Sequence, residues 1–310
     1  MTIQQLNYVV ALDIHRHFVK AAESCAVSQP TLTNQVKKLE DQINLTLFDR
    51  KTQPLKPTPM GEVFIAKARK ILREIDQLKA LVNEEQSQVK GKFKLGIIPS
   101  LSQYILPKFL HHFSKAYPNT HLEIKEWRSE QIMKGLDNGD LNVGLMVTPL
   151  YENTLREIPI FYEPFLLYAQ EGHTLLKKEQ IIADELKSKD LWLLEEGHCF
   201  RNQILNFCQF KKEKEQDKNI VFESASIETL KLMIQQTGGY TLIPELAYNQ
   251  FIDQDKTKRF STPEPVREVS LVVHKSFTKE LLLTHLHESI QKNIPMSFRK
   301  KGRNIMVDWR

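Results

Sequence analysis

The 310-residue sequence predicts an α+β protein of several domains, in which short N-terminal helices precede one long helix and a C-terminal α/β region of two lobes. Three observations indicate this order. Residues 1–58 show short helical patterns that end in a cluster of prolines, and residues 59–89 contain neither glycine nor proline after Gly61. Over residues 90–297, short β-like runs alternate with helical ones, which is typical of α/β architecture.

Composition indicates a globular protein of the cytoplasm. Charged residues make up 26% and hydrophobic residues 41% of the chain, and no apolar run approaches the roughly 18–20 residues that a membrane span needs. The N-terminus carries several charges and no apolar signal region, so we expect no membrane partner. Three cysteines, Cys25, Cys199 and Cys208, are too few for a disulfide scaffold or a four-thiolate zinc site, and we expect neither a metal nor a cofactor.

Residues 18–40 have the pattern of two short helices joined by a tight turn. Ser28 is a suitable N-cap for the second helix, and Pro30 is tolerated in a first helical turn. Apolar residues at i, i+4 and i+7 predict the buried stripe of this helix. They are Leu32, Val36 and Leu39.

The polar faces of this second helix and the segment after it are candidate DNA contacts. Short polar side chains near a helix N-terminus suit base edges in the major groove, and lysines further along suit phosphates. Residues 47–51 fit a wing that places a basic side chain against DNA. Residues 1–60 carry seven basic and five acidic side chains, a net charge of only +2, so a helical domain with a solvated polar face stays open as the alternative. The candidate DNA-contacting residues are Ser28, Gln29, Pro30, Thr31, Thr33, Asn34, Lys37, Arg50 and Lys51.

The long helix of residues 59–89 has apolar residues at spacings of 4, 3, 4, 3 and 4, which is the a/d pattern of a coiled-coil seam. This pattern favours a linker helix that pairs two chains, and the alternative is a helix packed on its own domain. The seam residues are Phe64, Ala68, Ile71, Ile75, Leu78 and Val82.

The C-terminal region is expected to form two α/β lobes. Lobe I comprises residues 90–163 and 267–297, and lobe II comprises residues 164–266. A cleft between two lobes is a usual place for a small ligand. Ser100 and Ser102 follow a predicted strand, where a helix N-terminus offers N–H groups and hydroxyls to that ligand.

The segment around Cys199 has the features of a reactive thiol. Gly197 ends a predicted strand, and Cys199 stands where a helix begins, so the helix N-terminus and neighbouring His198 or Arg201 are expected to lower the pKa of the thiol. If Cys199 to Cys208 is one helix, the two Cα atoms lie about 13.5 Å apart, whereas a disulfide needs them within about 7 Å. A bond between them therefore requires the helix to unwind. Spacing alone favours the plainer interpretation, in which the two cysteines are unrelated and buried.

The N-terminal region resembles the signature of LysR-type transcription regulators. The resemblance implies a winged helix-turn-helix, a linker helix that forms a dimer, and a C-terminal regulatory domain like periplasmic binding proteins, whose cleft in most members binds a metabolite. Ala26 occupies a turn position where a residue that tolerates positive φ is more comfortable. The runs that carry the resemblance are 21–22, 27–33, 38–40, 47–50 and 58–61.

The C-terminal region is similar to peroxide-sensing members of that family, in segments 98–100, 197–208, 226–230, 241–244 and 263–267. The resemblance implies that Cys199 is the peroxidatic thiol and Cys208 the resolving thiol, that His198 and Arg267 shape the peroxide pocket, and that the hydroxyls there belong to Ser100 and Ser129, where such members commonly have threonines.

The same resemblance implies the partners. They are double-stranded promoter DNA, RNA polymerase, hydrogen peroxide as the signal, and a thiol reductant such as glutaredoxin or thioredoxin, with a homodimer assembling to a homotetramer that activates oxidative-stress genes. The alternative is a LysR-type regulator that responds to a small metabolite in the cleft. A thiol peroxidase is a third hypothesis, but we expect no enzyme, because adjacent His198 and Cys199 rarely form a working nucleophile–base pair.

Residues 298–310 form a basic C-terminal tail. Five basic side chains against Asp308 give this tail a net charge of +4. We expect a disordered, solvated end, and a supplementary contact to DNA phosphates is the alternative.

Overall fold

The computed structural model describes residues 1–83, 89–209 and 224–310, and within them leaves out the side chains of residues 76, 77, 79–83 and 189. The chain divides into two compact units, Met1–Ser87 and Gln88–Arg310. Among the described residues, no helix is both long and apolar enough to span a membrane.

The first unit is a winged helix-turn-helix followed by a long helix, as predicted. Ser28 caps the third helix, since its Oγ accepts from the Thr31 N–H at 3.3 Å. Ala26 takes the left-handed conformation (φ 55°) that its place in the turn requires. The elements are helices α1 (Ile3–His15), α2 (Phe18–Ser24), α3 (Gln29–Ile43) and α4 (Pro59–Asn83), with the wing strands β1 (Phe48–Asp49) and β2 (Lys56–Pro57) between the last two helices.

The predicted stripe of α3 is confirmed, because Leu32, Val36 and Leu39 are completely buried in the core of the first unit. The wing is attached to α3 through Glu40, whose Oε1 accepts from the Leu47 N–H at 2.7 Å. This carboxylate satisfies backbone groups at the start of the wing and so fixes the wing relative to the helix.

The seam of α4 is only partly covered by its own unit. Ala68 is buried, whereas Ile71 is 43% and Leu78 is 65% exposed. The side chain of Val82 lies outside the described residues. Pairing of two chains through this helix stays a prediction, and the exposed seam positions are compatible with it.

The second unit is built on a mixed sheet in the order β4-β3-β5-β9-β6-β7, with β8 beside β6 and β10 beside β9. Its strands are β3 (Gly91–Ile97), β4 (Thr120–Glu126), β5 (Val143–Thr148), β6 (Leu155–Ala169), β7 (Tyr240–Pro244), β8 (Thr257–Arg259), β9 (Pro265–His274) and β10 (Ile305–Met306). Its helices are α5 (Pro99–Ala116), α6 (Ser129–Asn138), α7 (Cys199–Phe207), α8 (Ile227–Thr237) and α9 (Glu280–Lys292).

The two-lobed α/β architecture is confirmed, and β6 and β9 join the lobes. The first part of β6 pairs with β9, and Phe165 to Ala169 pair instead with β7. Each lobe has its own hydrophobic core. The chain therefore passes between the lobes within two neighbouring antiparallel strands, so the boundary between the lobes lies across a continuous ladder.

The C-terminal segment is ordered, and the expectation of a disordered, solvated tail is wrong. Ile305–Met306 pair in parallel with Pro265–Val266 of β9. Val307 and Trp309 are only 4% and 7% exposed. The alternation of these apolar side chains along the chain matches a strand with one buried face, and its burial outweighs the effect of the neighbouring charges.

Candidate functional site

The N-terminal half of α3 presents a polar surface. Six of the predicted DNA-contacting residues on this helix and its cap are exposed, and only Thr33 is half-buried. No described atom lies within hydrogen-bonding distance of the Thr33 hydroxyl. The exposed ones are Ser28, Gln29, Pro30, Thr31, Asn34 and Lys37.

The two basic candidates in the wing differ. Arg50 donates to Glu40 Oε2 at 2.8 Å and lies 5.8 Å from the centroid of the Phe18 ring, so much of its guanidinium is engaged within its own unit. Lys51 is exposed, and among the described residues only its backbone N–H has a partner, Asp49 Oδ1 at 2.9 Å. The ammonium group of Lys51 is therefore the more available of the two for a phosphate.

Cys199 is the first residue of α7 and lies where the two lobes meet. The preceding Gly197 has a φ of 88°, which turns the chain into the helix. The Cys199 side chain is 5% exposed and belongs to the core of lobe I. Phe200 and Ile204, on the same helix, belong to the core of lobe II. Helix α7 therefore contributes to both cores.

Burial governs the state of the Cys199 thiol. Loss of hydration raises the pKa of Cys199 above its ordinary value, and the Arg267 guanidinium, a hydrogen bond with Ser129 and backbone N–H groups at the helix start partly offset this rise. Burial thus favours the neutral thiol, while one cation and several hydrogen-bond donors favour the negative charge that would develop on the sulfur.

The expectation that His198 or Arg201 supplies the positive charge is wrong. Burial lowers the pKa of His198, which leaves the imidazole neutral, and its Nε2 lies 3.2 Å from Glu195 Oε1. The Arg201 guanidinium donates to the Leu194 carbonyl at 2.8 Å. The cation that acts on the thiol is Arg267, which is 68 positions further along the chain than Cys199.

Arg267 is completely buried, and three acceptor atoms on two residues fix its guanidinium. Its Nε donates to Glu163 Oε2 at 2.8 Å, its Nη1 to Ser100 Oγ at 2.8 Å and its Nη2 to the Ser100 carbonyl at 3.1 Å. The guanidinium carbon lies 5.2 Å from the centroid of the Phe200 ring. The structure thus brings the predicted residues Ser100 and Arg267 into direct contact and places Arg267 beside the start of α7.

Cys208 caps the other end of α7. Its side chain is 8% exposed in the core of lobe II, and burial raises its pKa to about 12. Both cysteines are free thiols. An intact helix separates them, as the sequence predicts, so a bond between the two sulfurs requires this helix to change.

Sequence reasoning missed Glu163 and Glu195. Glu163 pairs with Arg267 across the β6–β9 ladder, where the two residues are in register. Glu195 accepts from Arg128, the residue before Ser129, and so connects the segment before α7 to lobe I. The available signal for Glu163 is that it is the one charged residue within 158–169 of β6.

Comparisons with known proteins agree with this architecture. Residues 3–62 match the family described as "Bacterial regulatory helix-turn-helix protein, lysR family", and residues 86–294 match the "LysR substrate binding domain". The chain is 32% identical over 302 residues to the "Hydrogen peroxide-inducible genes activator" of Dickeya chrysanthemi, which covers 97% of this chain and 98% of that protein. It is 32% identical, over the same shares, to the "DNA-binding transcriptional dual regulator OxyR" of Escherichia coli K12.

A solved structure agrees over nearly the whole length. A full-length OxyR variant from Pseudomonas aeruginosa matches with a TM-score of 0.81 and 31% identity, covering 95% of this chain and 99% of that one. With an N-terminal winged helix-turn-helix and a two-lobed C-terminal domain that both match, the chain belongs to the LysR family of bacterial transcription regulators.

Proposed function

We propose that this protein is a transcription regulator that senses hydrogen peroxide through Cys199 and Cys208. The observation that carries the proposal is the position of the two thiols at opposite ends of α7, with Arg267 and Ser129 directed at Cys199. The relatives named as hydrogen peroxide-inducible genes activators, which match over nearly the whole chain, support the same signal.

The first step is attack of the Cys199 sulfur on one oxygen of peroxide. The S–O bond forms as the O–O bond breaks, and the leaving hydroxide takes the thiol proton and departs as water, which leaves a sulfenic acid. Because burial keeps the thiol protonated, the reaction depends on groups that stabilise charge as it develops. Arg267 supplies a cation, and the Ser100 and Ser129 hydroxyls supply donors close to it.

The second step joins the two cysteines. The Cys208 sulfur attacks the Cys199 sulfur, the S–O bond breaks, and a second water leaves. Closing a loop of about ten residues restricts the unfolded chain by about 2.7 kcal/mol, which is comparable to the packing of one or two core side chains of α7. The segment therefore refolds, and this refolding carries the signal to the oligomer.

The remaining assignments complete the proposal. Residues 1–58 bind promoter DNA through α3 and the wing, residues 59–89 pair two chains, and residues 90–297 sense the signal. Dimers assemble to a tetramer that contacts RNA polymerase, and a thiol reductant such as glutaredoxin or thioredoxin resets the disulfide.

A metabolite in the cleft is a weaker candidate for the effector. Arg267, the buried cation at the lobe boundary, is already bound to Glu163 and Ser100, so an anionic metabolite would have to displace buried hydrogen bonds. Peroxide carries no charge, so its reaction with the thiol does not require Arg267 to give up these partners.

The test is peptide mapping under non-reducing conditions, before and after one equivalent of peroxide. We expect a peptide pair joined through Cys199 and Cys208 only after treatment. Cys199→Ser should abolish promoter switching in response to peroxide, and Cys25→Ser, a cysteine in the DNA-binding unit, is the matched control. Full switching by Cys199→Ser would refute the proposal.

A further inference from the structure

The C-terminal segment lies along α7, the helix between the two cysteines. Gln203 is completely buried, and its Nε2 donates to the Val307 carbonyl at 2.9 Å. Asn206 Nδ2 donates to the Asp308 carbonyl at 3.0 Å and to the Arg310 carbonyl at 3.3 Å. Two side chains of α7, one in its middle and one in its last turn, thus donate to three backbone carbonyls of the segment, those of residues 307, 308 and 310.

The other side of this segment is fastened to the rest of the regulatory unit. The Ile305 and Val307 N–H groups donate to the Glu264 and Val266 carbonyls, each at 2.9 Å. The Trp309 indole N–H donates to the Pro149 carbonyl at 3.1 Å. Because these anchors lie outside α7, the segment holds the helix against a fixed support.

The apolar side chains of the segment divide between the two cores. Val307 belongs to the core of lobe II together with Cys208, Phe200 and Ile204, whereas Trp309 belongs to the core of lobe I together with Cys199. The segment therefore bridges the same two cores that the two thiols occupy.

We propose that residues 304–310 act as a clamp on α7, with Gln203 and Asn206 as positioning residues that set how fast the Cys199–Cys208 bond forms. This proposal rests on the proposed function. The two side-chain amides lie three positions apart, so they reach neighbouring carbonyls of the clamp together only while α7 is helical. Unwinding α7 breaks these hydrogen bonds, so the clamp opposes the second step and is released when the disulfide forms.

The clamp acts on one step only. Reaction of Cys199 with peroxide needs no unwinding, since the thiol lies at the first turn of α7. Weakening the clamp should therefore leave the rate of sulfenic acid formation unchanged and raise the rate of disulfide formation. A general loss of stability would not separate the two rates in this way.

Asn206→Ala is the test variant, because Asn206 is exposed and its loss leaves no buried polar group unpaired. Asn202→Ala is the matched control. It makes the same change one turn earlier on α7, with the same gain in helix propensity, at a side chain that has no hydrogen bond to the clamp. We expect Asn206→Ala to form the disulfide about three to ten times faster than Asn202→Ala, from the loss of two hydrogen bonds to the clamp.

The experiment uses the full chain and follows both steps after mixing with peroxide. Trapping of the sulfenic acid gives the first rate, non-reducing peptide mapping gives the second, and hydrogen exchange reports the amides of residues 203–208 of α7 in the reduced form. We expect these α7 amides to exchange faster in Asn206→Ala than in Asn202→Ala, because only the first variant loses hydrogen bonds to the clamp.

The outcomes separate the two proposals. If peroxide yields no Cys199–Cys208 peptide pair in the native chain, the sensing function fails and the role of the clamp fails with it. If the pair forms, but both alanine variants form it at one rate or exchange their α7 amides at one rate, then only the clamp is overturned.

Discussion

Replacing Arg267 with methionine should destabilise the regulatory unit more than replacing Arg267 and Glu163 together. Both side chains are completely buried, with Arg267 Nη2 only 2.7 Å from Glu163 Oε2. Removing the cation alone leaves a buried carboxylate without its partner, which typically costs about 3–5 kcal/mol. In Arg267→Met/Glu163→Gln no charge remains, and the glutamine oxygen still accepts from the Leu246 N–H. We therefore expect the double variant to cost only about 1–2 kcal/mol.

Tryptophan fluorescence during urea unfolding measures this difference. All three tryptophans of the chain, Trp127, Trp192 and Trp309, lie in the second unit, so the signal is blind to the DNA-binding unit. The single variant should unfold at a clearly lower urea concentration than the double variant. Equal midpoints for the two variants would refute the account of Arg267 and Glu163 as a mutually dependent buried pair.

The same two variants separate stability from reactivity. Both lack the cation that lowers the pKa of Cys199, so both should form the sulfenic acid more slowly than the parent chain, although only one is severely destabilised. A double variant that reacts with peroxide as fast as the parent would show that Arg267 does not assist the chemistry.

The DNA-binding unit and the thiols give three more tests. Gly61→Ala should reduce the free energy of unfolding by about 1–3 kcal/mol and so lower the melting temperature. The reason is that an added Cβ would lie 2.0 Å from the Leu47 carbonyl oxygen. Gly172→Asn is the control, because nothing lies within 4 Å of a Cβ added there. Lys51→Gln should reduce the slope of log affinity for promoter DNA against log salt by about 0.9, and an unchanged slope would contradict a phosphate contact. Iodoacetamide at pH 8 should label half-exposed Cys25 before the thiols at either end of α7, because burial raises the pKa of both; mass spectrometry of early time points decides this.

Local patterns were enough to predict the DNA-binding unit. Its third helix is defined by residues within one stretch of chain: the Ser28 cap, the buried stripe at i, i+4 and i+7, and the strained turn at Ala26. Each of these depends on interactions between near neighbours, so spacing and residue type alone determine them.

The thiol site depended on contacts that spacing does not encode. The expectation of a lowered pKa considered only neighbours of Cys199 in the sequence, but burial dominates, and the relevant cation comes from β9. The resemblance had pointed to Arg267, whereas its partner Glu163 followed only from the register of β6 against β9. Charges near a thiol in the sequence can be read directly, but the loss of hydration that raises its pKa depends on tertiary packing.

The C-terminal segment was misjudged for a related reason. Its net charge of +4 favours a solvated end, and the alternation of Val307 and Trp309 is too short to indicate a strand by itself. A two-residue strand such as β10 has too little local preference to be predicted alone, and it forms because β9 offers an edge for it to pair with.

The location of the two thiols in different cores bears on how the proposed signal is reversed. Joining Cys199 to Cys208 requires α7 to unwind, which moves its side chains out of the two cores. Removing Phe200 and Ile204 from the core of lobe II would cost about 3–6 kcal/mol. For a two-electron couple about 1.4 kcal/mol corresponds to 30 mV, so that loss would make the disulfide easier to reduce by about 65–130 mV. In the proposed mechanism, the packing of α7 therefore favours the reduced state, and the disulfide would persist only while peroxide forms it faster than a thiol reductant removes it. A preference for the reduced state would let such a regulator switch off once peroxide is gone. The hydrogen bonds from α7 to residues 304–310 add to this preference.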